Sequence, residues 1–280
     1  MSTHARRILL AGAAVLAAAL LALHIACSAP RPSSKASSSA AENTDLPTIK
    51  IGIDYLEPFF YVARNGDYAG IDADIAREAC KRAGLNPQFI KLSWSDRDEY
   101  LANGKVDCLW CGFASNGRTD LYRWTNVYLE TPVGMMVRAD DPATTPHDFA
   151  GTEGVAVRAG SISEFSLVIG SYGVPVSVPI KSFGTMDMAE AAFDNGYADA
   201  WISYTSVLER KAAQDPGKYR ILDDGLMLLD LAVAFDADYN GPYVDKLNDA
   251  LYSMKKDGTI DKIVQKYSEQ NADQAGDSGE

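Results

Sequence analysis

Histidine and cysteine are scarce in this chain of 280 residues, which holds three of the first and four of the second. Zinc and most transition-metal sites draw several such ligands together. A dedicated metal centre therefore has little to be built from, and no cofactor is expected. His4 and His24 fall in the N-terminal leader described below, so a hydrolytic triad would rest on His147 alone. That residue lies in Pro142-Ala143-Thr144-Thr145-Pro146-His147-Asp148, a turn-rich stretch, and reads as a solvated loop histidine. Basic charge is short as well. Lys and Arg total 26 against 38 Asp and Glu, a net charge of −12. Nucleic-acid binding needs clustered cations that displace counterions from phosphate, so that class is excluded. With 47% hydrophobic and 23% charged residues the chain can bury a real core. Its length suits two lobes rather than one small domain.

Long apolar runs are limited to one. Arg6 and Arg7 precede Ile8–Leu23, and no acidic residue appears before Glu42. A charged start, an apolar middle and small residues near a cut site make a secretory leader. The run is about 16 residues, shorter than the roughly 20 of a full span. His24-Ile25-Ala26-Cys27 resembles a bacterial lipobox, although the leucine stands one place early, at Leu23. Residues 1–26 are thus expected to be a signal peptide and Cys27 a lipidated first residue; an uncleaved anchor helix is the alternative. Without Arg6 and Arg7 the mature charge falls to −14. Residues 27–46 are rich in Ser, Ala and Pro and read as a flexible tether.

The rest of the chain alternates between strand and helix patterns. Thr48–Ile53 has the period-two apolars of a strand. Ile71–Ala83 carries apolars at helical spacing, with Gly84 as a stop. Asn86–Leu92 reads as a strand, Arg97–Ala102 as a helix and Val106–Cys111 as a third strand. A second cycle follows: Gly154–Val157, Val176–Pro179 and Ala200–Ile202 as strands, with helices opening at Ser161, Met186 and Ser206. An extended run, Leu226–Phe235, leads to two amphipathic helices, Tyr243–Lys256 and Ile260–Gln270. This order predicts an α/β fold of two lobes, each a mixed sheet flanked by helices, with a cleft at the carboxyl ends of the strands. The expected boundaries are 47–130 for the first part of lobe one, 131–226 for lobe two, 227–270 for the return to lobe one, and 271–280 for a disordered tail.

Six motifs in order carry a resemblance over residues 48–268. They are Lys50-Ile51-Gly52-Ile53-Asp54-Tyr55-Leu56-Glu57-Pro58-Phe59, Gly70-Ile71-Asp72-Ala73-Asp74-Ile75-Ala76, Asn103-Gly104-Lys105-Val106-Asp107, Ser115-Asn116-Gly117-Arg118, Asn195-Gly196-Tyr197-Ala198-Asp199-Ala200, and Met254-Lys255-Lys256-Asp257-Gly258-Thr259-Ile260. Together the chain resembles the family-3 extracytoplasmic solute-binding proteins, the polar amino-acid receptors of bacterial ABC importers. The resemblance implies a type II periplasmic-binding-protein fold and a non-enzymatic receptor, monomeric, that passes a small solute to a permease. In the family's pattern Arg118 clamps a ligand carboxylate, a task suited to a planar, permanently charged fork. Tyr55 and Trp94 match pocket aromatics, with core packing as their ordinary alternative. Arg158 faces the cleft, and Gly160-Ser161 precedes a helix whose free N–H groups suit an anion, Ser161 serving equally as an N-cap. Ser115 belongs to the Arg118 motif.

Two departures bear on the ligand. Phe113 stands where the family places Thr or Ser to meet an α-ammonium, with Cys111 at the preceding Gly; a shift of one residue returns Gly112 to register. Tyr204 stands where an Asp normally pairs with that ammonium. Either Asp54, Glu57 or Asp187 supplies the charge, or the ligand is no ordinary α-amino acid. Phe113, Trp201 and Tyr204 suit a larger or less polar solute. Cys108 and Cys111 lie on a buried strand with opposite facings, which disfavours a bond between them. Cys80–Cys108 as a disulfide and three free buried thiols both stay open. The alternative function is an extracytoplasmic dehydratase acting on prephenate or arogenate, with Glu57 or Glu164 as its acid, or a receptor that signals to another protein.

Overall fold

The period-two apolars of Thr48–Ile53 form strand β1, with Ile49, Ile51 and Ile53 fully buried. The structure, a computed structural model, describes residues 46–277; the expected leader, Cys27 and the tether up to residue 45 lie outside the described residues. A short hairpin follows, β2 (Tyr61–Val62) and β3 (Tyr68–Ala69). Helix α1 (Ile71–Ala83) has acids in its first turn and bases in its last, as the helix dipole favours. Its apolar stripe is buried, and Gly84 at φ 66° ends it. Next come β4 (Asn86–Lys91), a 3₁₀ turn over Trp94–Asp96, α2 (Arg97–Ala102), β5 (Cys108–Leu109) and β6 (Arg123–Trp124).

The chain then builds a second sheet. Its elements are β7 (Leu129–Arg138), β8 (Val155–Arg158), α3 (Ile162–Val168), β9 (Ile180–Phe183), α4 (Met186–Asp194), β10 (Ala200–Tyr204), α5 (Thr205–Gln214) and β11 (Tyr219–Leu231). Strand β12 (Ala234–Phe235) rejoins the first sheet, and α6 (Tyr243–Lys256) and α7 (Thr259–Asp277) close the chain. The first sheet has the order β4-β1-β5-β12-β6 and the second β11-β7-β10-β8-β9. Strands β4, β1 and β5 are parallel, as are β9, β8 and β10. Both sheets are mixed because β12 runs antiparallel in the first and β7 in the second. The architecture is the two-lobed α/β fold that the element order implied.

Strands β7 and β11 pair antiparallel from Tyr219↔Arg138 to Leu231↔Leu129 and are the two strands that join the sheets. Helix α7 returns to the first lobe. Tyr267 Oη donates to Asp74 Oδ2 at 2.8 Å and accepts from the Gly70 N–H at 3.0 Å, and Lys266 Nζ lies 2.8 Å from Asp74. Arg82 ties α1 to the turn between α6 and α7, donating to Ser253, Asp257 and Thr259. No helix among the described residues is long and apolar enough to cross a membrane.

Two details differ from expectation, and one open reading closes. Val176–Pro179 is a turn, with the Val178 N–H bonded to Pro175 O, and the strand begins at Ile180. Prolines 175 and 179 lack the N–H donors a ladder needs, and Val176 is fully exposed, so alternation there reflects no buried face. Helix α7 runs to Asp277, past the expected end at Gln270. The three cysteines Cys80, Cys108 and Cys111 are free and buried. Burial pushes the Cys80 and Cys111 thiols up to about 12, and Cys108 well above its ordinary value.

Gly70 marks the tightest backbone approach in the first lobe. It has φ 123°, and a Cβ there would sit 2.3 Å from Phe59 O. Gly66 has φ 87° with open space around it. Gly66→Ala is therefore expected to cost about 1–2 kcal/mol of conformational strain. Gly70→Ala should cost roughly 1–3 kcal/mol more, because the Phe59 peptide must move. Urea unfolding of the two variants measures the difference, and equal losses would contradict this reading of the turn.

Candidate functional site

The two sets of parallel strands end on one cavity. From the first lobe, Leu56 follows β1, Trp94 follows β4, Cys111–Ala114 follow β5, and Arg118 comes from the next loop. From the second, Arg158 ends β8, Gly160–Ser163 lead into α3, Met186 opens α4, Ile202–Tyr204 end β10, and Leu229 lies on β11. Ligands in open α/β sheets sit at such carboxyl ends, because loops there are free to diverge. The enclosed volume is about 40 Å³.

Arginines dominate the polar lining. Arg158 is buried and forms an ion pair across the cleft with Asp54 Oδ2. Its guanidinium lies 5.1 Å from the Trp94 ring centroid, and its buried Nε has no partner among the described residues. Arg97 lies on the same indole, also at 5.1 Å, and donates to Trp94 O at 2.9 Å. Arg118 sits over Phe113, at 5.3 Å, in a cation–π arrangement. It reaches across the cleft to donate from Nη2 to Gly160 O at 2.8 Å, and from Nη1 to Ala114 O at 3.3 Å. Burial and the neighbouring Arg97 both pull its proton affinity below the ordinary arginine value. Phe113 is itself wedged among Trp94, Tyr122 and Trp124, with centroids 4.7–5.3 Å away.

Tyr204 bridges the lobes by donating from Oη to Gly112 O, while its ring meets Phe59 at 5.1 Å. Burial raises its hydroxyl well above the ordinary range. Gly112 holds φ 62°, a conformation that favours glycine, and a Cβ there would lie 2.8 Å from the end of the Leu56 side chain. Its N–H donates to Asp72, which also accepts from Tyr128 Oη at 2.8 Å. Desolvation raises the fully buried Asp72 carboxyl to about 7, against the lowering effect of both hydrogen bonds.

The expected site residues divide. Arg118, Trp94, Phe113, Arg158, Ser161 and Tyr204 line the cavity. Asp54 does not line it but reaches it through Arg158. Tyr55 lies away from the cavity: its ring faces Lys91 at 4.7 Å, and its neighbour Leu56 takes the wall position instead. Ser115 also lies away, donating from Oγ to Asp230 O at 3.2 Å. Ser161 acts as an N-cap, accepting from Glu164 N at 3.1 Å, while Glu164 Oε2 accepts from Gly160 N at 2.7 Å. The Gly160 donor expected to face an anion is therefore occupied. Glu57 pairs with Arg210 at 3.8 Å, and neither it nor Asp187 lines the cavity. Trp201 is buried against Phe193 in the second lobe. Sequence reasoning missed Leu56, Ile162, Met186, Leu229 and Arg97. Their signal was position after a strand end or at a helix start, which apolar residue types do not advertise.

Residues 49–270 match the family of bacterial extracellular solute-binding proteins, family 3. The chain is 25% identical over 255 residues to the probable amino-acid-binding protein YxeM of Bacillus subtilis (strain 168), covering 90% of this chain and 93% of that one. Among solved structures, an ancestral arginine-binding protein bound to arginine is 26% identical, with a TM-score of 0.70 over 79% of this chain and 97% of its own. The ancestral amino-acid-binding protein AncCDT-1, a precursor of cyclohexadienyl dehydratase, shares the fold at 24% identity, with a TM-score of 0.66 over 79% of this chain and 94% of its own.

Asp72 gives the site a pH signature. In the unfolded chain this carboxyl titrates near 3.9, and in the fold at about 7. Between those values the folded protein keeps a proton that the unfolded chain has released. Its contribution is therefore greatest at low pH and falls as pH rises towards 7, by up to about 1.4 kcal/mol per unit. Asp72→Asn should remove that slope. Urea unfolding of wild type and variant from pH 4.5 to 7.5 tests it: their difference in stability should change steadily in this sense, and a flat difference would refute the assignment.

Proposed function

The chain belongs to the bacterial extracellular solute-binding proteins, family 3, and on that premise we propose that it captures an amino acid or related small carboxylate outside the cytoplasm and delivers it to an ABC permease. The observation that carries the reading is the pairing of Arg118 from one lobe and Arg158 from the other on the walls of one cavity. A guanidinium on each wall bonds a solute fully only when the lobes are together, so binding energy becomes closure energy. The enclosed 40 Å³ holds no more than a few waters. A solute of amino-acid size enters only if the lobes part, and β7 and β11 are the natural hinge because they alone carry the chain between the sheets. Closure would then bring Arg118 and Arg158 onto the solute from opposite walls. Lipidation at Cys27 and the tether to residue 46 would hold a monomeric body near the membrane and its permease.

Binding is favoured over catalysis by the lining itself. A dehydratase needs an acid within reach of the leaving hydroxyl. Among the described residues no carboxylate lines the cavity; Glu164 is engaged by Gly160 N and Glu57 faces Arg210.

Thermal denaturation of the purified chain against the twenty amino acids, small carboxylates, polyamines and prephenate tests the proposal. A true solute at a hundred times its dissociation constant adds about 2.7 kcal/mol of stability. At least one carboxylate should raise the midpoint of the wild type and leave Arg118→Ala unmoved. A midpoint rise that survives Arg118→Ala would remove this arginine from the binding role.

A further inference from the structure

Among the described residues, the only charged side chains that line the cavity are those of Arg118 and Arg158. Three guanidiniums converge on Trp94 and Gly160: Arg158 and Arg97 lie on the indole, while Arg118 donates to Gly160 O. Four carboxylates lie near enough to matter, and each is taken. Asp54 accepts from Arg158 and from Tyr55 N, with Lys91 at 3.8 Å. Asp72 accepts from Gly112 N and Tyr128 Oη. Glu164 accepts from Gly160 N. Asp98 is exposed, holding Tyr122 Oη and facing Arg97 at 3.7 Å. Arg118 is left with two carbonyl oxygens as its acceptors. Arg158 also keeps a buried Nε without a partner among the described residues.

An ammonium placed here meets positive charge and only neutral acceptors. The hydroxyls of Ser161, Ser163, Ser203 and Tyr204 share the lining, but Ser161 Oγ already accepts from Glu164 N, and the others offer only uncharged oxygens. Desolvating a cation without a carboxylate is costly. A carboxylate in the same place gains charge-assisted, forked hydrogen bonds from guanidiniums already desolvated. The remaining wall is apolar, made by Leu56, Trp94, Phe113, Ile162, Met186 and Leu229.

We propose that the cleft selects a small organic carboxylate with an apolar body and no α-ammonium group, such as an alkanoate, an arylalkanoate or a 2-oxo acid. This rests on the solute-receptor reading and narrows its substrate class. Tyr204 then has a chemical reason to occupy its position: it closes the lobes through a backbone carbonyl and leaves no negative charge to attract an amine.

Calorimetric titration of the purified full chain with matched pairs tests the proposal. The pairs are L-leucine with 4-methyl-2-oxopentanoate, and L-phenylalanine with 3-phenylpropanoate. The amine-free member of at least one pair should bind, and at least tenfold more tightly than its amino-acid partner. If an amino acid binds as tightly as its amine-free partner, or more tightly, the proposal fails while the receptor reading stands. If neither member of any pair binds, the small-carboxylate reading fails and takes the proposal with it.

Discussion

One buried ion pair sets the geometry of the cleft. Asp54 leaves β1 at the end of the first sheet, and Arg158 ends β8 in the second. Neither charge is cheap to remove from water, and such a pair persists only where further bonds satisfy its atoms. Asp54 has them: Oδ1 accepts from Tyr55 N, Lys91 stands behind, and its own N–H meets Cys111 Sγ at 3.3 Å. Arg158 has the face of Trp94. With these two strand ends joined, Arg118 comes within reach of Gly160 O and Tyr204 within reach of Gly112 O. Parting the lobes would return both charges to water, so the pair biases closure without making it irreversible.

Behind the pair a second line of contacts ties the cleft to the core. Asp72 on α1 accepts from the Gly112 N–H and from Tyr128 Oη, just before β7, and Gly112 presents its carbonyl to Tyr204. The same glycine therefore connects a helix start, the approach to a joining strand and the opposite lobe. Its positive φ favours glycine, and a side chain there would have to push the end of Leu56 aside.

Much of this was legible in the sequence. Period-two apolars located β1 and helical spacing located α1, because buried faces impose periodicity, while six motifs in order carried the family resemblance that implied the fold. The arginine at position 118 was found because its motif is local. What escaped lacked such a signature. Tyr55 was expected in the wall because it is aromatic, whereas the turn after β1 sends Leu56 inward and leaves Tyr55 to Lys91. Arg97 reads as a surface residue on α2 until the fold lays it on Trp94. Ser161 was expected as an anion contact, an N-cap or both, and the structure places it as an N-cap beside a Gly160 N–H that Glu164 engages. Val176 and Val178 alternate as a strand should, but Pro175 and Pro179 deny the ladder. Each miss is a tertiary choice between neighbours that local pattern treats as equal.

Asp54 and Arg158 act as one unit across the cleft. A double-mutant cycle on unfolding free energy, with Asp54→Asn, Arg158→Met and both together, measures it most directly. The account expects a coupling of roughly 1–3 kcal/mol, each single change leaving a charge without its partner and the double change losing less than the sum. Losses that add to within about 0.5 kcal/mol would mean that the two residues do not depend on each other.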